Sequence, residues 1–224
     1  MRNFNIVQPY SRITSLSSQE EGIKMLKTIE SIGRVSHRSE NLQTEDSYKR
    51  FIETVVMNHG DMSIIEHCNV TVEAVLNRAI ANEWVRHRIG SYTQSSTRFI
   101  NHAKKPQHME FIIPFSMRDN EKRMELWEKN VSHCVEEYNE AIGNGVPPQD
   151  ARDLLPHSLA TKLITTYNLR NWRYFLLARS TKEAHPQIRE IVDSLIVQFS
   201  SYIPILFDDI IPGNLQRAAF AKVR

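Results

Sequence analysis

The 224-residue sequence carries 28 Lys and Arg residues against 26 Asp and Glu residues, a net charge of +2. A chain so close to neutrality has no global basic field, so its composition predicts neither a nucleic-acid partner nor a membrane partner. Its seven glycines form neither a GxGxxG nor a GxxxxGK(S/T) motif, which excludes the common glycine-rich phosphate loops. Any bound phosphate must therefore be held by other donors, and the chain has 18 arginines to offer.

The two cysteines, Cys68 and Cys134, form no CxxC pair and favour a reducing compartment over a disulfide framework. Each lies on the apolar side of its predicted element, which is typical of a core thiol rather than a nucleophile. The sequence has no apolar run typical of a signal peptide and no stretch of about 18 uncharged apolar residues. We therefore expect a soluble, cytoplasmic protein.

Hydrophobic periodicity predicts a strand and two helices in the first sixty residues. Residues 4–14 favour an opening strand, and Ser17 with Glu20 resembles a capping box at the start of the first helix. The second helix is expected over 44–58. Gly60 then supplies the residue type that commonly ends a helix.

The middle of the chain changes period twice. Strict alternation of apolar and polar residues predicts a half-buried strand over 67–75, and a return to helical spacing predicts a helix over 77–89. Gly90 closes that helix, and the polar, hydroxyl-rich segment 91–98 follows. A further short strand is expected over 111–115.

The remainder of the chain is predicted to be helical. Pro204 should bend or end the last helix. The expected helices span 119–142, 149–155, 158–167, 171–179 and 186–207. Because helices dominate and the few strands do not alternate with them, we expect an α+β fold: a helix-rich single domain over 1–224 with a small, mainly antiparallel sheet.

The segment from Arg86 to Arg98, RHRIGSYTQSSTR, is the densest in chemical groups. On a helix end, Arg86 and Arg88 would point about 200° apart, so they are expected to serve different partners. Beyond Gly90, the hydroxyls of residues 95–97 join Arg98 in one turn, a grouping that suits a phosphate. Spacing alone leaves the alternative open, in which the cations complement a helix C-terminus and the hydroxyls solvate a loop.

A second arginine series comprises Arg170, Arg173 and Arg179, with Arg152 upstream. Asn168 is a natural N-cap for their helix, and Arg170 and Arg173 are neighbours on one helix face. Taken alone, this pattern favours a capped amphipathic helix with solvated arginines. No HExxH, HxH or zinc-spaced Cys/His pair occurs, so no metal site is predicted. The sequence also contains no GxSxG segment, so no serine nucleophile is predicted.

Arg86-His87-Arg88, seven further residues and Ser96 resemble the RHR-x7-S signature of the flavin-dependent thymidylate synthase family, ThyX. HGDMSIIEH at 59–67 is similar to the family's HGxxSxxEH stretch, and ARDLLP at 151–156 to its ARxxLP segment. Residues 168–179 resemble its NxR helix with a closing arginine. The likeness spans roughly 46–191. The sequence departs from the family pattern at Asp61, Asn82, Glu83, Gln94, Phe99 and Tyr174.

The resemblance implies which residues bind each ligand. For FAD, it implies contacts from Ser63, Arg86, His87, Arg88, Gln94, Asn168, Arg170 and Tyr174. For dUMP, it implies contacts from Glu83, Trp84, Arg86, Gln94, Ser95, Ser96, Thr97, Arg98, Arg152 and Arg179. Arg152 would lie at the nucleotide phosphate, and Arg179 at the uracil as the catalytic residue.

The resemblance also implies a methyltransferase that works without a protein nucleophile. NADPH would reduce the flavin, methylenetetrahydrofolate would supply the carbon, and reduced flavin would deliver hydride to form dTMP. The implied assembly is a homotetramer with shared active sites. Arg179 cannot act as a base, but its charge can stabilise anionic character on the uracil ring and raise the nucleophilicity of C5.

An alternative function belongs to a different class. The arginine-rich helix and loop could hold a nucleotide or an RNA phosphate without catalysing a reaction. A non-catalytic binding protein would need Arg86, Arg88 and Arg98, but it would have no need of Asn168, Arg170 and Arg179 at their family positions.

Overall fold

The computed structural model describes residues 2–104 and 109–211. It confirms the predicted α+β class, with several helices and a small sheet. The α-helices are α1 (Gln19–Val35), α2 (Ser47–Phe51), α3 (Arg78–Trp84), α4 (Glu121–Gly143), α5 (Pro148–Ala151), α6 (Leu169–Arg179) and α7 (Pro186–Tyr202). Within the described ranges, no helix is both long and apolar enough to cross a membrane.

The strands are β1 (Asn5–Ile6), β2 (Tyr10–Ile13), β3 (Asn69–Asn77), β4 (Ser91–Gln94), β5 (Glu110–Phe111) and β6 (Ala160–Asn168). Four of them form one sheet in the order β2-β3-β6-β4. The short strands β1 and β5 pair in parallel, with Asn5 opposite Glu110 and Ile6 opposite Phe111.

Several shorter helical segments connect these elements. Helix α2 continues directly into a π-helix, Ile52–Asn58, and the chain then turns at Gly60, whose φ of +85° favours glycine. The 3-10 helices are Glu40–Leu42, Met62–His67, Phe115–Met117, Arg152–Leu154 and Asp208–Ile210.

The chain divides into two compact units. Unit 1 comprises Met1–Tyr10, Ala74–Arg86 and Tyr92–Ile164, and unit 2 comprises Ser11–Glu73, His87–Ser91 and Thr165–Arg224. In unit 1, helix α4 buries residues at helical spacing, and the ring of Phe4 packs edge-on against Phe111 and Trp127 at 5.4 and 5.8 Å.

In unit 2, helix α6 lies at the centre of an aromatic cluster. Trp172 donates its indole N–H to the carbonyl of Val70 at 2.8 Å, and its ring lies 4.6 Å from Tyr167 and 5.2 Å from Phe199. Fully buried aromatic rings in such contacts contribute strongly to the stability of a core. This cluster fixes the position of α6 within the unit.

The predicted solvation of the α6 arginines is wrong for Arg173. Its side chain is buried and donates to both carboxylate oxygens of Asp209, at 2.8 and 2.7 Å. A buried guanidinium needs such a partner, because an unpaired buried charge is costly. Arg173 therefore supports the fold.

Two predicted helices need correction. The segment 158–167 is not a helix but contributes to β6, in which Thr161, Leu163, Thr165 and Tyr167 alternate inward. The helix expected over 77–89 ends at Trp84. The residues of the RHR segment therefore follow the helix, and the expected angle of about 200° between its two arginines does not apply.

The observed bounds of other elements differ less from the predicted ones. The opening strand is split into β1 and β2, the strand expected over 67–75 begins at Asn69, and the strand expected over 111–115 is only Glu110–Phe111. Ser18, not Ser17, caps α1 by accepting from the backbone N–H of Glu21. The last helix ends at Tyr202, ahead of Pro204, as expected.

The close approach between Gly90 and Tyr167 yields a stability prediction. A Cβ at Gly90 would lie 2.1 Å from the buried Tyr167 ring, so Gly90→Ala should lower the free energy of unfolding by about 1–3 kcal/mol. Urea denaturation measures this change. Gly143→Ala, at a helical position with open space around it, is the matched control and should change stability by less than about 1 kcal/mol. Equal effects of the two substitutions would contradict the prediction.

Candidate active site

His87 and Arg179 meet within unit 2, although 92 positions separate them in sequence. The Nε of Arg179 donates to Nε2 of His87 at 2.8 Å. The imidazole packs edge-on against Phe175, with ring centroids 4.9 Å apart, and lies 5.9 Å from the ring of Tyr174. Because Nε2 accepts a hydrogen bond, the ring is neutral and carries its proton on Nδ1.

The electrostatics of this pair favour the neutral imidazole. Burial and, second, the positive charge of Arg179 lower the pKa of His87 to about 4. Both causes disfavour an imidazolium. At neutral pH, the uncharged ring of His87 therefore accepts from Arg179 and orients its permanently charged guanidinium.

Helix α6 also holds the backbone that follows His87. Asn171 donates its side-chain amide to the carbonyl of Ile89 at 2.5 Å, and Gly90 packs against the ring of Tyr167. The side chain of Ile89 is left 85% exposed, and Arg88 is exposed beside it. The RHR segment thus presents an apolar and a cationic side chain at the surface of unit 2.

The other predicted flavin contacts of unit 2 differ in their surroundings. Arg170 forms an ion pair with Glu66 at 2.5 Å, and both side chains are exposed. Asn168 uses its side-chain oxygen to cap α6, accepting from Asn171 at 2.9 Å. Tyr174 is 60% exposed, and Ser63 is exposed in its 3-10 helix. Asn168 therefore has a structural role in addition to the one that the resemblance implies.

The predicted phosphate loop lies in unit 1, where hydrogen bonds hold it in a turn. The backbone N–H of Ser95 donates to Lys162 at 2.9 Å. The Ser96 hydroxyl accepts from the backbone N–H groups of Arg98 and Phe99, at 3.1 and 3.4 Å. The guanidinium of Arg98 lies 5.2 Å from the centroid of the exposed Phe99 ring. A side-chain oxygen that accepts from the following N–H groups stabilises such a turn.

The remaining residues of unit 1 that are predicted to contact a ligand differ in their burial. Trp84 and Thr97 are buried, Glu83 and Gln94 are half-buried, and Arg86, Ser95 and Arg152 are exposed. Gln94 donates its side-chain amide to the Thr161 hydroxyl at 3.3 Å. Neither Arg86 nor Arg152 makes an ion pair with a carboxylate in the described part of unit 1.

Sequence reasoning missed Arg78, the first residue of α3. Its Nη2 donates to the carbonyl of Ser95 at 2.9 Å, across 17 positions of sequence. No local pattern signals a contact at that separation. The one hint is an arginine placed directly after the β3 segment, at the first position of helix α3.

The thiols lie outside these groups of residues. Burial raises the pKa of Cys68, and burial together with the charge of Glu137 raises that of Cys134. A raised thiol pKa disfavours the reactive thiolate. Among the residues from 2 to 104 and from 109 to 211, no three His, Cys, Asp or Glu side chains are grouped to hold a metal ion.

This combination is an α+β fold that exposes arginines and hydroxyls and has no glycine-rich phosphate loop. A family model described as thymidylate synthase complementing protein matches residues 22–205. The flavin-dependent thymidylate synthase of Geobacter sulfurreducens is 32% identical over 162 residues, which cover 71% of this chain and 68% of that protein. The chain therefore belongs to the thymidylate synthase complementing protein family, and the sequence-based identification is confirmed.

Two solved structures share the fold. The Helicobacter pylori flavin-dependent thymidylate synthase ThyX, complexed with FAD and dUMP, has a TM-score of 0.71 at 20% identity, covering 92% of this chain and 100% of that chain. The UMP/dUMP methylase PolB of Streptomyces cacaoi, bound with 5-Br dUMP, has a TM-score of 0.74 at 19% identity, covering 92% and 96%. At these identities, the likeness establishes the fold.

The neutral His87 predicts a specific dependence of stability on pH. Its pKa is lower in the folded protein, about 4, than its ordinary value of 6.5. The unfolded chain therefore binds more protons between these values, and stability should be lost as the pH falls from about 6.5 towards 4. His87→Gln, which does not titrate, should have a shallower slope in urea denaturation over this range.

An exposed histidine provides the control for this measurement. His133→Gln, in α4 of unit 1, should keep the wild-type slope, because its side chain is exposed. If His87→Gln and the wild type show the same slope between pH 4 and 6.5, the neutral-imidazole assignment is wrong.

Proposed function

We propose that this protein is a flavin-dependent thymidylate synthase, which methylates dUMP reductively to dTMP. Family membership and the relatives of that name support the proposal. The structural observation that carries it is the hydrogen bond from Arg179 to the neutral ring of His87. That bond joins the RHR segment to the closing arginine of the NxR helix, the two motifs to which the family resemblance assigns the flavin and the pyrimidine.

The surroundings of His87 fit a flavin. Tyr174 and Ile89 expose an aromatic ring and an aliphatic side chain on which a planar ring system can pack. Arg88 adds an exposed cation with no carboxylate partner in the described residues, which suits a diphosphate. We propose Ser63, Arg86, His87, Arg88, Gln94, Asn168, Arg170 and Tyr174 as the FAD contacts. Bound FAD, reduced by NADPH, would supply the hydride.

The loop of unit 1 fits the nucleotide. Arg98 and Arg152 are exposed guanidiniums, and Ser95 and Ser96 add hydroxyls in the loop that carries Arg98. Arginine forks and hydroxyls together can satisfy the oxygens of a phosphate. We propose dUMP contacts from Glu83, Trp84, Arg86, Gln94, Ser95, Ser96, Thr97, Arg98, Arg152 and Arg179.

Arg179 is the proposed catalytic residue. His87 accepts from its Nε, which sets the orientation of the guanidinium, and four further N–H groups belong to its two Nη atoms. We propose that these face the uracil, where a fixed cation stabilises anionic character at N3 and O4. Such preorganised charge raises the nucleophilicity of C5 without an attacking thiol, consistent with the raised pKa of both cysteines.

Four finer points belong to the proposal. Methylenetetrahydrofolate is the proposed carbon donor, and a homotetramer with shared sites is the proposed assembly.

The family match covers residues from both compact units, which supports a single functional domain over 1–224. We place the reaction in the cytoplasm, where two free thiols stay reduced. The alternative of a non-catalytic phosphate-binding protein is not favoured, because the family and its named relatives are those of an enzyme.

Purified protein provides the direct test of this function. We expect it to be yellow from bound oxidised flavin, or to become so when FAD is added. With dUMP, methylenetetrahydrofolate and NADPH, it should form dTMP, measured by chromatography, and should restore growth to a bacterium that lacks thymidylate synthase. Colourless protein that takes up no FAD and forms no dTMP would refute the proposal.

Substitution of Arg179 tests the proposed mechanism. Arg179→Ala should retain bound flavin but form dTMP at least about 100-fold more slowly, because a preorganised charge near the reacting ring is lost. Arg189→Ala removes another arginine of unit 2, whose Nη1 donates to the carbonyl of Lys182, and should keep wild-type turnover. Wild-type turnover in Arg179→Ala would exclude the catalytic role.

A further inference from the structure

Arg78 is held in place by contacts from three segments of unit 1. Its backbone N–H donates to the carbonyls of His157 and Leu159, at 3.0 and 3.1 Å, and its Nη2 donates to the carbonyl of Ser95 at 2.9 Å. Asn77 caps the helix directly before it, accepting from Ile80 at 2.9 Å. The side chain therefore reaches the phosphate loop from a fixed backbone.

Among residues 2–104 and 109–211, no carboxylate pairs with the charge of Arg78. Burial and, second, the charge of Arg152 lower the pKa of its guanidinium, which its hydrogen bond to Ser95 holds at the phosphate loop. Arginine nevertheless remains charged at neutral pH. No described carboxylate pairs with either side chain, and the buried Nε of Arg78 has no hydrogen-bond partner in the described ranges.

Arg173 and Arg34, whose side chains are mostly buried, are arranged differently from the half-buried Arg78. Arg173 donates to both oxygens of Asp209, and Arg34 donates from Nε and Nη2 to Glu30 at 2.8 and 2.6 Å. Bringing two guanidiniums together without a carboxylate costs stability, because like charges repel more strongly where water is partly excluded. A bound anion removes that cost.

We propose that Arg78 is a further phosphate-binding residue, which together with Arg152 holds the phosphate monoester of the nucleotide substrate. This inference rests on the proposed function, and it adds a residue that the family motifs do not include. Arg78 also fixes the Ser95 carbonyl, so one side chain both positions the loop and contacts the ligand. A monoester approaches two negative charges at neutral pH, which matches two guanidiniums. Each phosphate of a flavin diphosphate carries only one.

Nucleotide binding separates this role from a purely structural one. Isothermal titration calorimetry of flavin-loaded protein compares dUMP with deoxyuridine, which lacks the phosphate. Arg78→Gln should weaken dUMP binding by about 10- to 100-fold, the range for one hydrogen bond to a charged group, and leave deoxyuridine binding unchanged. FAD content, read from the visible spectrum, should stay at the wild-type level. Arg78→Lys should recover part of the dUMP affinity because it retains a positive charge.

Arg123→Gln is the matched control. Arg123 is another arginine of unit 1, and its Nη1 also donates to a backbone carbonyl, that of Ser116 at 3.1 Å. It should bind dUMP as the wild type does. Equal losses of dUMP and deoxyuridine affinity in Arg78→Gln would overturn the proposal, and so would an unchanged preference for dUMP.

Thermal unfolding with inorganic phosphate tests the anion site independently of the reaction. Phosphate should raise the unfolding temperature of the wild type, and it should raise that of Arg78→Gln, Arg152→Gln or the double variant much less. The phosphate-dependent stabilisation lost in the double variant should be smaller than the sum of the losses in the two single variants. If the wild type responds in this way but binds no dUMP, the proposed function fails and the anion site stands. No response of the wild type to either ligand would overturn both.

Discussion

The packing of Gly90 against the ring of Tyr167 is the constraint on which the candidate site of unit 2 depends. Only a residue without a Cβ allows that approach, and Tyr167 is itself fixed among Trp172 and Phe175. The backbone of 87–91 therefore follows one path along α6. That path places the imidazole of His87 where Arg179 can donate to it. A core contact thus determines the geometry of a polar pair.

The buried arginines that support the fold differ in their partners from Arg78 and Arg152, the two arginines proposed to hold the substrate phosphate. Arg34 and Arg173 each donate to a carboxylate, and removing either partner would leave an uncompensated charge. Arg78 and Arg152 have no such carboxylate in the described part of unit 1. The near-neutral net charge of +2 is compatible with both groups, since carboxylates elsewhere offset cations concentrated at a site.

Sequence reasoning found the family, the α+β class and the capped helix α6, because long motifs, periodicity and Asn168 are local signals. The strand β6 was predicted as a helix because Thr161 and Thr165 are polar residues at buried positions. Their residue type conceals the alternation of buried and exposed positions that indicates a strand. Sequence reasoning also extended α3 by five residues, because tertiary packing at Gly90 overrides helical spacing. The contact from Arg78 to Ser95 depends on chain segments that folding brings together, which no local pattern records.

The depressed pKa of His87 makes ligand binding and proton binding interdependent. The charge of Arg179 is one of its two causes, so a ligand that draws the guanidinium away from the ring allows the pKa to rise. Between about pH 4 and 6.5, such a ligand would be taken up together with a fraction of a proton. The enthalpy of binding would then vary with the ionisation heat of the buffer, because the buffer supplies that proton.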